Sequence, residues 1–210
     1  MQQPLRVPPK VPARVVVLAS GTGSLLRSLL DATGGDDYPA RIVAVGVDRD
    51  CQAVDIAASA SVPSYAVRLR DHPDREAWDA AIADATALQE PDLIVAAGFM
   101  KILGPHFLSR FMGRIINTHP ALLPAFPGAH AVADALEYGV KVTGCSVHLV
   151  DAGTDTGPLL AQEAVPVLDD DDEASLHERI KVVERRLLVD VLAAVATRGV
   201  TWTGRKATVG

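Results

Sequence analysis

From Ala13 onward the chain alternates short apolar runs with stretches of helical periodicity. Residues 15–19 are wholly apolar, and after a turn of glycines and hydroxyls an apolar-periodic stretch covers 25–32. Residues 42–47 precede another such stretch over 53–60, and a helical pattern over 74–87 leads into the apolar run 93–96. Apolar runs rich in β-branched residues and separated by helices predict a parallel sheet covered on both sides. The first half is therefore expected to be Rossmann-like.

Beyond Pro105 the pattern changes. A strand is predicted over 114–116, then a loop stiffened by Pro120, Pro124 and Pro127, a helix near 131–137, and two β-rich runs over 142–150 and 159–167. Residues 151–158 between those runs read Asp-Ala-Gly-Thr-Asp-Thr-Gly-Pro, which is turn chemistry, so the runs are expected to pair antiparallel. A last helix opening at Asp172 or Glu173 and continuing through Ala194 carries the apolar stripe Leu176, Ile180, Val183, Leu187 and Val191. The expectation is an α/β fold with a mixed, mostly parallel sheet and helices on both faces. No repeat or long linker divides the chain, so a single domain is placed at 13–200. Residues 1–12, which hold four prolines, and 201–210 are expected to be terminal tails.

Composition narrows the function. Across 210 residues 49% are apolar and 22% charged, which suits a substantial core and excludes a disordered or fibrous chain. A net charge of -6 without a basic stripe argues against a nucleic-acid partner. No apolar run approaches the roughly 18–20 residues of a membrane span, and the first residues lack a signal peptide's apolar stretch. Cys51 and Cys145 are too few and too far apart for a disulfide framework or a zinc cluster, which fits a reducing, cytoplasmic compartment. A protein acting on small molecules is expected.

Three segments could carry chemistry. Ser20, Gly21, Thr22, Gly23 and Ser24 lie between a buried strand and a helix, where free backbone N–H groups and the helix dipole favour a phosphate. A tight turn with a serine cap is the plainer alternative, because the loop matches neither the full dinucleotide fingerprint nor a Walker loop. In Asn117-Thr118-His119-Pro120, extended backbone would turn Asn117 and His119 to one side. There an amide could donate to an oxyanion and an imidazole could move a proton, a pairing suited to acyl transfer. Asp155, in the 151–158 loop, could orient His119 or stabilise its charged form, although aspartates also cap turns. His148 sits among alternating apolar residues, so a packed, hydrogen-bonded role suits it as well as a catalytic one. His119, His130, His148 and Asp155 lack compact metal-ligand spacing, and no metal is expected.

Four ordered blocks, V-V-V-L-A-S-G-T-G-S, A-A-G-F-M-K-I-L, I-N-T-H-P-A-L-L-P-A-F-P-G and H-L-V-D-A-G-T-D-T-G-P, give the chain a resemblance. From Arg14 to about Val195 it resembles the folate-dependent formyltransferase superfamily, and within it the glycinamide ribonucleotide transformylases of purine biosynthesis. The resemblance implies a Rossmann-like formyltransferase fold and transfer of a formyl group from 10-formyltetrahydrofolate, as co-substrate, to the amine of glycinamide ribonucleotide. It implies Asn117, His119 and Asp155 as the catalytic set, with His148 close behind. Gly21, Thr22, Gly23, Ser24 and Leu25 would hold the ribonucleotide phosphate, and Glu184 would face the substrate amine. Met100, Lys101, Ile102 and Leu103, with Asp151, Ala152, Gly153, Thr154 and Arg75, would surround the folate. Leu25 stands where the family usually has asparagine and Lys101 where it usually has arginine. Formyltetrahydrofolate deformylase and methionyl-tRNA formyltransferase share the triad but normally carry an extra domain, for which this length leaves no room. A non-catalytic folate- or nucleotide-binding module is a further alternative, and a homodimer is left open.

Overall fold

The structure is a computed structural model and describes residues 4–210. Its first half alternates strand and helix. After β1 (Leu5–Val7) come β2 (Ala13–Ala19), α1 (Ser24–Thr33), β3 (Ala40–Val47), α2 (Gln52–Ser59), β4 (Ser64–Ala66), α3 (Arg75–Ala87) and β5 (Leu93–Ala96). The second half holds α4 (Pro105–Arg110), β6 (Ile115–His119), α5 (Ala131–Tyr138), β7 (Val142–Leu149), β8 (Leu159–Pro166), α6 (Glu173–Arg198), β9 (Val200–Thr203) and β10 (Lys206–Val209). The strands form one sheet in the order β1-β9-β10-β8-β7-β6-β5-β2-β3-β4. Five pairings are parallel (β5–β6, β2–β5, β2–β3, β3–β4 and β8–β10) and four antiparallel, so the expected mixed, mostly parallel sheet is present.

Burial explains the alternation. Val15 to Ala19 are fully covered because β2 runs through the middle of the sheet with a helical layer on each side. On one side Leu26, Ala53, Leu176, Ile180 and Leu188 bring α1, α2 and α6 onto the sheet. On the other Trp78, Ile82 and Phe107 bring α3 and α4, and the Trp78 indole donates to the Val67 carbonyl at 2.8 Å. Helix α6 opens with a reciprocal cap between Asp172 and Ser175 and runs to Arg198, four residues beyond the predicted end, before closing on Gly199. The runs 142–150 and 159–167 pair antiparallel as β7 and β8, as the turn chemistry between them predicts. Among the described residues no helix is long and apolar enough to cross a membrane.

Three expectations need correction. The N-terminal tail is part of the sheet: β1 pairs antiparallel with β9, Val7 opposite Val200, and the Lys10 N–H donates to the Ala196 carbonyl. Pro4 and Pro8 flank this strand without removing a donor inside it. Met1 to Gln3 of the expected tail lie outside the described residues. The C-terminal tail is the β9–β10 hairpin, turned at Gly204 (φ 57), and the Trp202 ring fills the space where a side chain at Gly113 would lie. Finally, the strand predicted over 114–116 extends to His119, and the short helix α4 lies in a stretch that the periodicity left unassigned.

Candidate active site

Segments implicated by sequence meet where β2, β5 and β6 end. Gly23 (φ 71) turns the chain from β2 into α1, and a β-carbon there would lie 2.8 Å from Ile56 Cδ1, so both the turn and the approach of α2 require glycine. Thr22 is exposed and Ser24 opens α1, which leaves first-turn N–H groups facing outward. Leu25, the departure from the family pattern, packs its side chain into the core beside Leu26 and Leu29. The Ser20 hydroxyl accepts from the Met100 N–H at 2.9 Å, tying the glycine turn to the segment after β5 and leaving its own O–H to donate.

Strand β6 delivers the polar set. Asn117 and His119 share one side of the strand, while Thr118 points to the other and donates to Glu184 Oε1 at 2.5 Å. Asn117 Nδ2 donates to His148 Nε2 at 3.3 Å, and His148 Nδ1 donates to the Leu149 carbonyl at 2.9 Å. This relay fixes which way the Asn117 amide faces, and the second amide N–H is uncommitted. His119 is almost fully buried; its Nε2 donates to the Phe126 carbonyl at 2.7 Å and its Nδ1 lies 3.4 Å from Asp155 Oδ2. Asp155 Oδ1 is 3.6 Å from His148 Nε2, and Oδ2 accepts from the Gly128 N–H at 2.8 Å. One carboxylate thus lies beside two imidazoles.

Electrostatics suit these roles. Burial pushes the Asp155 carboxyl up, but His148, the Gly128 N–H and the nearby His119 outweigh it and hold the group below the usual carboxylate range. Glu184 is the reverse case. Burial in the protein interior pushes its carboxyl up, and the Thr118 hydroxyl only partly opposes this. Glu184 reaches the end of β6 from α6, where it meets Thr118.

The segment Met100 to Leu103 is held from behind. Arg75 donates to the Ile102 carbonyl and lies over the Trp78 ring, so this exposed guanidinium is engaged by the protein itself. Buried Asp79 accepts from the N–H groups of Gly104, His106 and Phe107 at 2.5, 2.9 and 3.2 Å. Met100 and Ile102 are 68% and 71% exposed and offer apolar side chains outward. Lys101 lines a polar cleft of about 380 Å³ with Arg49, Arg68 and Arg70, beside Asp48 and Asp50. Asp151 closes its own loop by accepting from the Gly153 N–H and the Thr156 hydroxyl, while Ala152, Gly153 and Thr154 are exposed. Phe126, Gly128, Asp79 and Thr118 were not singled out from sequence. The first two act through main-chain atoms, which leave no residue-type signature, and the Pro127-Gly128 pair was the one available signal.

A model of the family described as formyl transferase matches residues 13–192. The chain is 75% identical over 210 residues to phosphoribosylglycinamide formyltransferase of Mycobacterium tuberculosis, covering all of this chain and 97% of that one. It is 34% identical over 180 residues to the protein of the same name from Bacillus subtilis, covering 85% of this chain and 92% of the other. The crystal structure of glycinamide ribonucleotide transformylase 1 from Symbiobacterium toebii superposes with a TM-score of 0.90 at 39% identity over 93% of each chain. Sequence, site and architecture agree, and the chain belongs to the formyl transferase family.

Proposed function

We propose that this chain transfers the formyl group of 10-formyltetrahydrofolate to the amine of 5'-phosphoribosylglycinamide, giving the N-formyl product and tetrahydrofolate, a step of purine biosynthesis. The observation that carries the reading is the convergence of Asn117, His119, His148 and Asp155 at one end of the sheet in a chain 75% identical to an enzyme named for this reaction.

The amine nitrogen attacks the formyl carbon directly, so the enzyme supplies position and charge and forms no acyl intermediate. The uncommitted N–H of Asn117 stabilises the tetrahedral oxyanion by a hydrogen bond, and a protonated His119, whose own N–H groups face Phe126 and Asp155, stabilises it through its positive charge. Asp155 keeps His119 oriented and assists proton movement through water. As the carbon–nitrogen bond to the folate breaks, the amine has lost one proton and the departing folate nitrogen gains one. The turn from Gly21 to Leu25 receives the phosphate on main-chain N–H groups. Met100 to Leu103, Asp151 to Thr154 and Arg75 flank the pterin and its tail, which requires Arg75 to exchange its bond to Ile102. Glu184 faces the ribonucleotide. The protein acts in the cytoplasm, in keeping with its free cysteines.

The test is the loss of 10-formyltetrahydrofolate absorbance with glycinamide ribonucleotide, and separately with water, as acceptor. Consumption that requires the ribonucleotide supports the transferase. Equal consumption in water alone would make it a deformylase, and none in either case a binding module.

A further inference from the structure

The two groups that face the ring nitrogens of His119 share an unusual backbone. Among the described residues, four non-glycine positions have positive φ. Ser61 and Glu90 follow the ends of α2 and α3, where such residues commonly close a helix. The others are Phe126 (φ 51), whose carbonyl accepts from His119 Nε2, and Asp155 (φ 53), whose carboxylate faces Nδ1. Aspartate enters this region readily because its short side chain can bond locally, whereas a bulky aromatic there is an outlier that persists only where its surroundings enforce it. Packing of the ring does not account for it. Phe126 is half-buried and meets an exposed partner, Tyr138, edge-on at 6.0 Å. What the conformation does achieve is to aim the Phe126 carbonyl at His119, two residues before Gly128 (φ 97) aims its N–H at Asp155.

We propose that Phe126 is a positioning residue for His119: its carbonyl, turned inward by the left-handed backbone, holds a proton on Nε2 and leaves Nδ1 as the nitrogen that gains and loses a proton. In the neutral ring Nε2–H donates to Phe126 and the Nδ1 lone pair faces the Asp155 side of the cleft. The added proton goes on Nδ1, where the carboxylate accepts it. A catalytic consequence rests on the reading of His119 given above, whereas the tautomer does not.

Two measurements test this. Protein labelled with ¹⁵N in its histidine rings reports the neutral tautomer of His119, with the signals assigned by their loss in His119→Asn. A protonated Nε2 with an unprotonated Nδ1 is expected, and the opposite tautomer overturns the proposal. Phe126→Asn and Phe126→Val both remove the ring, but asparagine accepts positive φ while β-branched valine resists it. With both variants folded by thermal melting, kcat is expected within about threefold of the parent for asparagine and at least about tenfold lower for valine, with KM values little changed. The valine variant should also lose the Nε2 signature. Valine retaining kcat and tautomer, or asparagine losing as much as valine, would show that only the ring matters and overturn the assignment. Normal turnover in His119→Asn would instead remove the catalytic reading, and with it Phe126's part in the reaction, whatever the tautomer.

Discussion

Replacing Asp155 with asparagine isolates charge from shape. Asparagine is nearly isosteric, tolerates φ 53, and can still accept from the Gly128 N–H through its amide oxygen, so the loop should hold. What disappears is a negative charge 3.4 Å from His119 Nδ1 and 3.6 Å from His148 Nε2. With Asp155 only 13% exposed, screening is weak. A unit charge pair at the shorter distance is worth about 5 kcal/mol gross at an effective dielectric of about 20. Loss of a positioned acid–base group costs about 10²–10⁴ in rate, or about 3–5 kcal/mol of barrier, so turnover should fall at least about a hundredfold. The assay is ribonucleotide-dependent loss of 10-formyltetrahydrofolate at saturation, paired with thermal melting. Stability carries its own sign. A carboxyl held below its ordinary range stabilises the fold above the unfolded-state pKa, and that contribution is lost as pH falls through the lowered value. Any melting deficit of the variant near neutrality should therefore close in acid. Turnover within tenfold of the parent, in a normally folded variant, would refute the reasoning.

Other residues give independent checks. Glu184→Gln keeps an acceptor for Thr118 but removes a carboxyl whose ionisation burial disfavours; because the cost of that charge grows as pH rises from the unfolded-state pKa through the raised folded-state pKa, the variant should gain melting temperature at about pH 8 and none at about pH 4. Equal gains at both would contradict this. Leu188→Ala opens a void where α6 meets the sheet and should cost about 2–5 kcal/mol in urea unfolding with the slope unchanged; a loss below about 1 kcal/mol would mean that the site collapses freely. In Gly157→Ala the new methyl collides with the Leu149 carbonyl, so the loop must shift and carry Asp155 with it; kcat should drop about a hundredfold while circular dichroism keeps the native profile, and unchanged kcat would show that Asp155 is held independently.

The fold was most legible where period and burial coincide. Two-sided apolar strands such as β2 and β5, and the long stripe of α6, announce themselves because every position along them answers to a core. Elements that depend on partners distant in sequence did not. The three residues of β1 need β9 opposite them, and six-residue α4 draws its N-terminal hydrogen bonds from Asp79 on α3. In the site, the side chains Asn117, His119, His148 and Asp155 were readable because their chemistry is specific, and the structure brings them together. Phe126 and Gly128 were not, since a carbonyl and an N–H belong to every residue but proline. Ser20 shows a second duty that the sequence does not announce: a hydroxyl read as a phosphate donor also accepts from the Met100 N–H.

Asp79 bears on affinity without facing a ligand. Ordering backbone costs about 1–2 kcal/mol per residue, so freezing a four-residue loop on binding would forfeit about 4–8 kcal/mol, or about three to six decades in Kd. Here Ser20 and Arg75 fasten the main chain at Met100 and Ile102, and Asp79 fastens it just beyond, at Gly104. On the folate-binding role proposed for this segment, an arriving pterin would then have only side chains to still, at about 0.5–1.5 kcal/mol each. In that role, these bonds, with three N–H groups of the adjoining turn tied to one buried carboxylate, would shift an entropic cost from every encounter with folate to the single event of folding.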